Sequence, residues 1–497
     1  METLIILAIT IFVIWYMYAS RYRNYWKSQG VPYEKLSLFF GLTLQRFIKP
    51  FHLVDQELYR KHGRLFGIFE DGRPALYVAD PDLLKLVLVA DYGDSERKTG
   101  FSCDDPLFDN MVAIAPFEKW RRIRAAITPL FTASKLRKMH GLVQEMVIVN
   151  TEALVNAARE GANVDPIRLY TPTALNILSR CTFGKEIDGG NDTRNDIISS
   201  RIHALYVPIS FSLIVSVRTF MKKVRSKFIR NEAFFFYKEL SLNIVKKKQL
   251  DINKASDVLK PRSDIKDEPE SQEKPITPFL AALTKTLSEE EALSQCILFH
   301  VAGVGAVSGI AALVSYYLAL HPGVQAKLRD EADDCFAKHG RFPSYEVVSK
   351  LEYLDAVVSE TLRICPPFTR LERTCTKDYV IGNTDIKVPK DCVITVPVYA
   401  MHHDSDFYPN PESFMPERFL EGNASEINPY VYFPFGYGPR NCVAQTFGLQ
   451  IIKTILLHAV HNVQFVKTQR TKVPLDMRTG YGMLIPTDLI VGIRTRN

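Results

Sequence analysis

The chain opens on 18 uncharged residues, Thr3 to Ser20, and the basic residues Arg21, Arg23 and Lys27 follow at once. A helix of that length rises roughly 27 Å, enough for a thin bilayer. Gly30-Val31-Pro32 then breaks any continuing helix and lets the body of the protein turn away from the membrane. Short alternating runs such as Ala75 to Val78 predict strands. From about Lys119 to Val314 the apolar residues recur at helical spacing, as at Leu142, Met146, Val149 and Ala153, so helix dominates this half.

Ser288 and Glu291 form a capping-box pattern, and Ala292 to Leu320 then runs almost uncharged until His321-Pro322 ends it. Such a helix is buried on nearly every side. Gln295, His300 and its many small residues suit a protein interior better than a second membrane span. Lys260 to Pro278 carries four prolines among many charges and predicts a mobile, solvated connector. Two further helices and short strands around Val388 to Val398 and Met483 to Ile493 follow, with no internal repeat. The pattern predicts a mainly α-helical protein with a minor β region behind one N-terminal transmembrane helix.

Composition narrows the class without naming a chemistry. Of 497 residues, 46% are hydrophobic and 24% charged, which excludes a disordered, collagen-like or polytopic membrane chain. A net charge of +7 is too small over this length for a nucleic-acid footprint, though it suits an acidic partner or an anionic membrane. The eight cysteines show no CxxC pair and no metal-ligand spacing, so the compartment reads as reducing and any special cysteine acts alone. Because the basic residues follow the apolar run rather than precede it, that run reads as a signal anchor, with the body facing the cytosol from the endoplasmic reticulum. The sequons at Asn191 and Asn423 would then stay unglycosylated.

The most informative segment is Phe435-Gly436-Tyr437-Gly438-Pro439-Arg440-Asn441-Cys442-Val443-Ala444, a glycine-punctuated loop that delivers one cysteine to the start of a helix. Backbone N–H groups and the dipole there predict a lowered thiol pKa. The other seven cysteines read as buried apolar residues. F-G-x-G-P-R-x-C resembles the haem-binding signature of the cytochrome P-450 family. The resemblance implies haem b with Cys442 as axial iron ligand, Phe435 over its sulfur and Arg440 on a propionate. Ala444 stands where the family usually has glycine.

Three further motifs carry the likeness in family order. Glu360 and Arg363 share a helix face, and with Arg418 of Pro416-Glu417-Arg418-Phe419 they are similar to the family's buried Glu-Arg-Arg cluster, which holds the cysteine loop. Trp120 and Arg124 share another face, and the resemblance assigns them, with Arg373, to the haem propionates. The stretch from Tyr353 to Asp378 resembles the animal subgroup that includes the main liver drug-metabolising forms. Neighbouring His402 and His403 read as structural, since on an extended chain they point apart. The likeness spans nearly everything from Gly30 onward and divides the chain into an anchor over 1–20, a basic, Pro-terminated juxtamembrane segment over 21–32 and a catalytic domain over 33–497.

One place departs from the family. Where it reads A-G-x-(Asp/Glu)-Thr, an acid–alcohol pair that relays protons for dioxygen activation, this chain has Ala302-Gly303-Val304-Gly305-Ala306. Ser308 lies about 200° round the helix from Ala306 and is a poor stand-in. Three outcomes are open: a monooxygenase in which water or a substrate hydroxyl replaces the alcohol, a hydroperoxide or endoperoxide isomerase or dehydratase that needs no reductase, or a haem-containing lipophile-binding protein. The first leads. It implies one oxygen atom inserted into lipophilic small molecules, with electrons from a membrane-bound, NADPH-dependent flavoprotein reductase and cytochrome b5 as a second donor. Substrate contacts are expected from Phe101 to Phe117, Tyr206 to Leu213, Ala302, Gly303, Ala306 and Pro366 to Thr369.

Overall fold

A computed structural model describes residues 20–35, 49–70, 73–90, 95–97, 105–185, 234–246, 277–382, 384–423, 427–477 and 486–496, with isolated positions 6, 10, 13, 16, 17, 425 and 484. Most of the apolar run at 1–20, Tyr206 to Leu213 and nearly all of 260–278 lie outside the described residues. Its principal helices are α1 Tyr25–Ser28, α2 Phe51–His62, α3 Phe117–Ile127, α4 Ala133–Arg159, α5 Pro166–Phe183, α6 Glu289–Leu320, α7 Pro322–His339, α8 Glu352–Ile364 and α9 Gln445–Asn462. The strands are β1 Leu65–Glu70, β2 Arg73–Val78, β3 Ser95–Arg97, β4 Asn163–Val164, β5 Leu371–Cys375, β6 Tyr379–Val380, β7 Lys387–Val388, β8 Val393–Val396, β9 Val463–Val466 and β10 Val491–Thr495. The fold is mainly helical with a minor β region.

α6 is the scaffold. The Ser288 hydroxyl accepts from the Glu291 N–H at 3.2 Å while the Glu291 carboxylate accepts from the Ser288 N–H at 3.4 Å, so both sides of the capping box are present. The helix runs unbroken for 32 residues, about 48 Å. It is long and apolar enough to cross a membrane, but most of its apolar window is buried in protein, packed against α5, α8 and α9. The helical core gathers around it.

A second core lies under a mixed five-stranded sheet, order β1-β2-β8-β5-β3, in which β2 and β8 run parallel and the other neighbours antiparallel. β2 is buried on both faces from Pro74 to Val78, more than alternation alone would give. The juxtamembrane segment also belongs to this core. Trp26 is fully buried, donates from its indole nitrogen to the Ile68 carbonyl at 2.9 Å, and seats its ring where Gly67 has no Cβ. The Gly67 N–H donates to Pro32 O and the Glu34 N–H to Gly67 O. The expected boundary between residues 32 and 33 therefore falls inside a packed unit, because a buried Trp six residues earlier anchors the segment.

Candidate active site

The cysteine loop turns on two glycines with positive φ, Gly436 at 76° and Gly438 at 75°. The Asn441 N–H closes on Gly438 O at 3.0 Å, and the Cys442 N–H on Phe435 O at 2.9 Å. Helix α9 begins only at Gln445, so one N–H, that of Ala444, reaches the sulfur. Burial pushes the Cys442 thiol above the ordinary cysteine range, and the Ala444 N–H and Arg124 offset this only in part. The expected lowering by a helix start is thus corrected: desolvation outweighs a single backbone donor, and a coordinated cation is what ionises such a thiol outright.

Cys442 is the exposed cysteine among the described residues, while Cys181, Cys296, Cys335, Cys365, Cys375 and Cys392 are buried; Cys103 lies outside the described set. The thiol is thus accessible even though protein packs closely around it. α6 shows the same signature. Ala302 is exposed midway along this otherwise buried helix, and Leu298, Val301, Gly303 and Ala306 are partly accessible, whereas Val304 and Gly305 are buried. Leu298, Ala302 and Ala306 fall on one face at i, i+4 and i+8. Phe131 packs between Phe299 of α6 and Phe447 of α9, at 5.7 and 6.0 Å between ring centroids, and ties the two helices together.

Cations gather beside the loop. Arg124 donates to the Asn441 backbone and side-chain oxygens, both at 2.8 Å, and the Arg440 guanidinium lies 4.4 Å over the Trp120 ring. Trp120, Arg124, Arg440 and Cys442 thus come together around 441. Arg373 sits on β5 opposite Arg97 of β3, and the start of that strand meets the loop, with Leu371 near Gly436. Phe435, half-buried, meets the cysteine through its carbonyl, which accepts from the Cys442 N–H. An apolar slot, an accessible sulfur and a cationic rim fit a flat metal macrocycle bearing carboxylates, so the residues present suit haem.

Glu360 and Arg363 form a fully buried two-pronged pair at 2.7 and 2.9 Å. Arg363 also donates to the His402 and Pro411 carbonyls, each at 2.7 Å. The Arg418 Nε lies 3.4 Å from Glu360 Oε1, within ion-pair reach but not aligned as a hydrogen bond. The Met415 N–H completes the carboxylate's set at 2.9 Å. His402 and His403 end a short helix, Val398–His402, rather than lie on an extended chain, and each bonds a backbone carbonyl, of Arg363 and Tyr399.

Three polar features escape the sequence motifs. Asn441 receives Arg124. Asp55, fully buried, is gripped by Arg370 and by the Tyr77 hydroxyl at 2.8 Å, which locks α2 to the segment entering β5. Gln295 bonds the backbone at 110–112. The only sequence signal for Gln295 was a polar residue within an apolar helix.

The cytochrome P450 family pattern matches residues 31–491. Cytochrome P450 3A7 of Homo sapiens is 31% identical, over 100% of this chain and 97% of the relative. Cytochrome P450 3A9 of Rattus norvegicus is 30% identical over 98% and 95%, and 3A29 of Sus scrofa 31% over 96% and 93%. Likeness of this extent does not favour the isomerase or binding-protein alternatives. The chain belongs to the cytochrome P450 family: it is a haem-thiolate oxidoreductase, a monooxygenase of lipophilic molecules that draws NADPH-derived electrons through a reductase.

Proposed function

We propose that haem b lies between the Cys442 loop and the open face of α6, with the Cys442 sulfur on the iron and substrate on the α6 side. The accessible Cys442 sulfur, with Arg124 and Arg440 beside its loop, carries this reading. When bound, the haem supplies dioxygen activation and insertion of one oxygen atom into the substrate. Trp120, Arg124, Arg373 and Arg440 hold its propionates, and Phe435 shields the sulfur. Glu360, Arg363 and Arg418 brace the segment leading to the loop.

Proton supply is the weak point of the site. Gly305 and Ala306 offer no side chain that can hold a proton. Ser308 is buried and donates back to Val304 O at 2.8 Å, and His300 is bonded to Cys296 O and Ser179. Water or a substrate hydroxyl therefore delivers protons along the Ala302–Ala306 face, and peroxide release competes with product. Substrate is enclosed by 105–117, Ala302, Gly303, Ala306 and 366–369, where Phe368 is exposed.

The described positions of the apolar N-terminus are helical, and Ile6, Val13 and Met17 among them are exposed, which supports a single anchor over 1–20 in the endoplasmic reticulum membrane with the body in the cytosol. Lys135 and Lys138 are exposed at the start of α4, which follows α3, the helix whose Arg124 reaches the cysteine loop, and they support docking of an acidic flavoprotein reductase, with cytochrome b5 as second donor. The decisive experiment is the reduced, carbon-monoxide-treated spectrum: the full chain gives the Soret band of sulfur-ligated haem and Cys442→Ala loses it. With reductase and NADPH the protein forms oxidised product, while a lipid hydroperoxide without reductase yields none; the reverse result overturns the reading.

A further inference from the structure

Among the described residues, Gln295 is the one residue of α6 whose side chain grips another segment's main chain at two points. It is fully buried, its amide oxygen accepts from the Val112 N–H at 2.9 Å, and its amide nitrogen donates to Asn110 O at 2.8 Å. The same nitrogen reaches Glu291 O of its own helix at 2.9 Å, which fixes the rotamer. The Asn110 side chain is held in turn by Glu290 at 2.7 Å and by Lys119.

Gln295 stands seven residues before Ala302, on the same helix face and two turns away. From the clamped residues the chain closes a tight turn, with the Ile114 and Ala115 N–H groups both on Met111 O at 2.9 and 2.8 Å. That turn carries the position of Asn110 and Val112 on to Ile114, which is partly accessible. We propose that Gln295 is a positioning residue that sets the shape of the substrate space by clamping 110–114 against α6 beside its open face. The proposal rests on the reading that haem lies against that face and that 105–117 encloses substrate. Gln295 touches neither, and acts by ordering Ile114 before a ligand arrives, so that binding need not order it.

The test uses full-length holoprotein and two iron-coordinating probes, imidazole and the bulkier 4-phenylimidazole, each titrated by the haem spectral shift and needing no turnover. Gln295→Leu keeps the carbon monoxide band and the imidazole affinity but weakens 4-phenylimidazole by about three- to tenfold, the scale of one or two hydrogen bonds. Gln295→Asn, a methylene too short for both backbone groups, behaves alike and serves if the leucine variant fails to load haem. Ile114→Ala changes only the affinity for the bulkier probe. If Ile114→Ala discriminates between the probes while both Gln295 variants leave them unchanged or weaken them equally, the proposal is overturned. If Ile114→Ala does not discriminate either, the assignment of 105–117 to the substrate space falls with it. If imidazole gives no spectral shift in the wild type, the haem reading itself falls.

Discussion

At Gly438 the space of one missing methyl group is already spoken for. A Cβ there would lie 2.2 Å from the Leu88 carbonyl oxygen, a backbone atom that cannot step aside, and the residue also needs a φ of 75°. Gly438→Ala is expected to distort the cysteine loop and abolish haem loading, measured as the ratio of Soret to protein absorbance in purified protein. Glu360→Ala leaves Arg363 buried without its carboxylate and should cost about 3–5 kcal/mol in urea denaturation. Within 302–306, Gly303 and Ala306 differ. A Cβ on Gly303 would press on Leu178 at 2.8 Å, so close packing against α5 accounts for it, whereas Ala306 is partly accessible. Ala306→Thr places a hydroxyl on the open face and should lower peroxide released per NADPH consumed, as should Gly305→Glu combined with it; unchanged leakage in both variants refutes the missing-relay account. Glu360 and Arg363 were legible because they share a helix face, and Cys442 and Arg418 through the motifs that resemble the family's. Asn441 and Asp55 were not, since Arg124 and Arg370, which grip them, lie more than three hundred residues away.

Elements follow their local signals where one face decides and depart where two cores meet. The capping box and the His321-Pro322 stop set the bounds of α6 in sequence as in structure. β9 left no readable signal. Its four residues continue directly from α9, and only pairing with β10 makes them a strand. α1 looked like the tail of a tether, since its neighbours are basic, yet its indole is wedged under β1. Trp26→Ala should therefore destabilise the whole body by about 3–5 kcal/mol in chemical denaturation, the range for a large buried aromatic. A free juxtamembrane linker would show no change.

At the scale of the whole molecule, burial lowers the pKa of seven histidines among the described residues, five of them strongly. Desolvation brings His52, His300, His403 and His458 to about 4 and His402 to about 3. Unfolding lets each take up a proton below its ordinary value, so stability is intact above about pH 6.5 and falls as pH drops toward 4, by up to about 1.4 kcal/mol per pH unit for each group. Urea denaturation at successive pH values checks the slope. If the proposed docking holds, reductase-supported turnover falls as salt rises while the carbon monoxide band stays constant, because salt screens the pairing of surface charges and not a bond between sulfur and iron. The helical class and the long central helix were readable from the chain, because periodicity and caps act within a few residues, and Cys442 from a motif that resembles the family's. The long-range packing adds that Cys442 stays accessible beside Arg124 and Arg440, that Gln295 grips a segment 185 residues away, and that Trp26 joins the body. Those depend on which distant surfaces exclude water from each other, which no local spacing records.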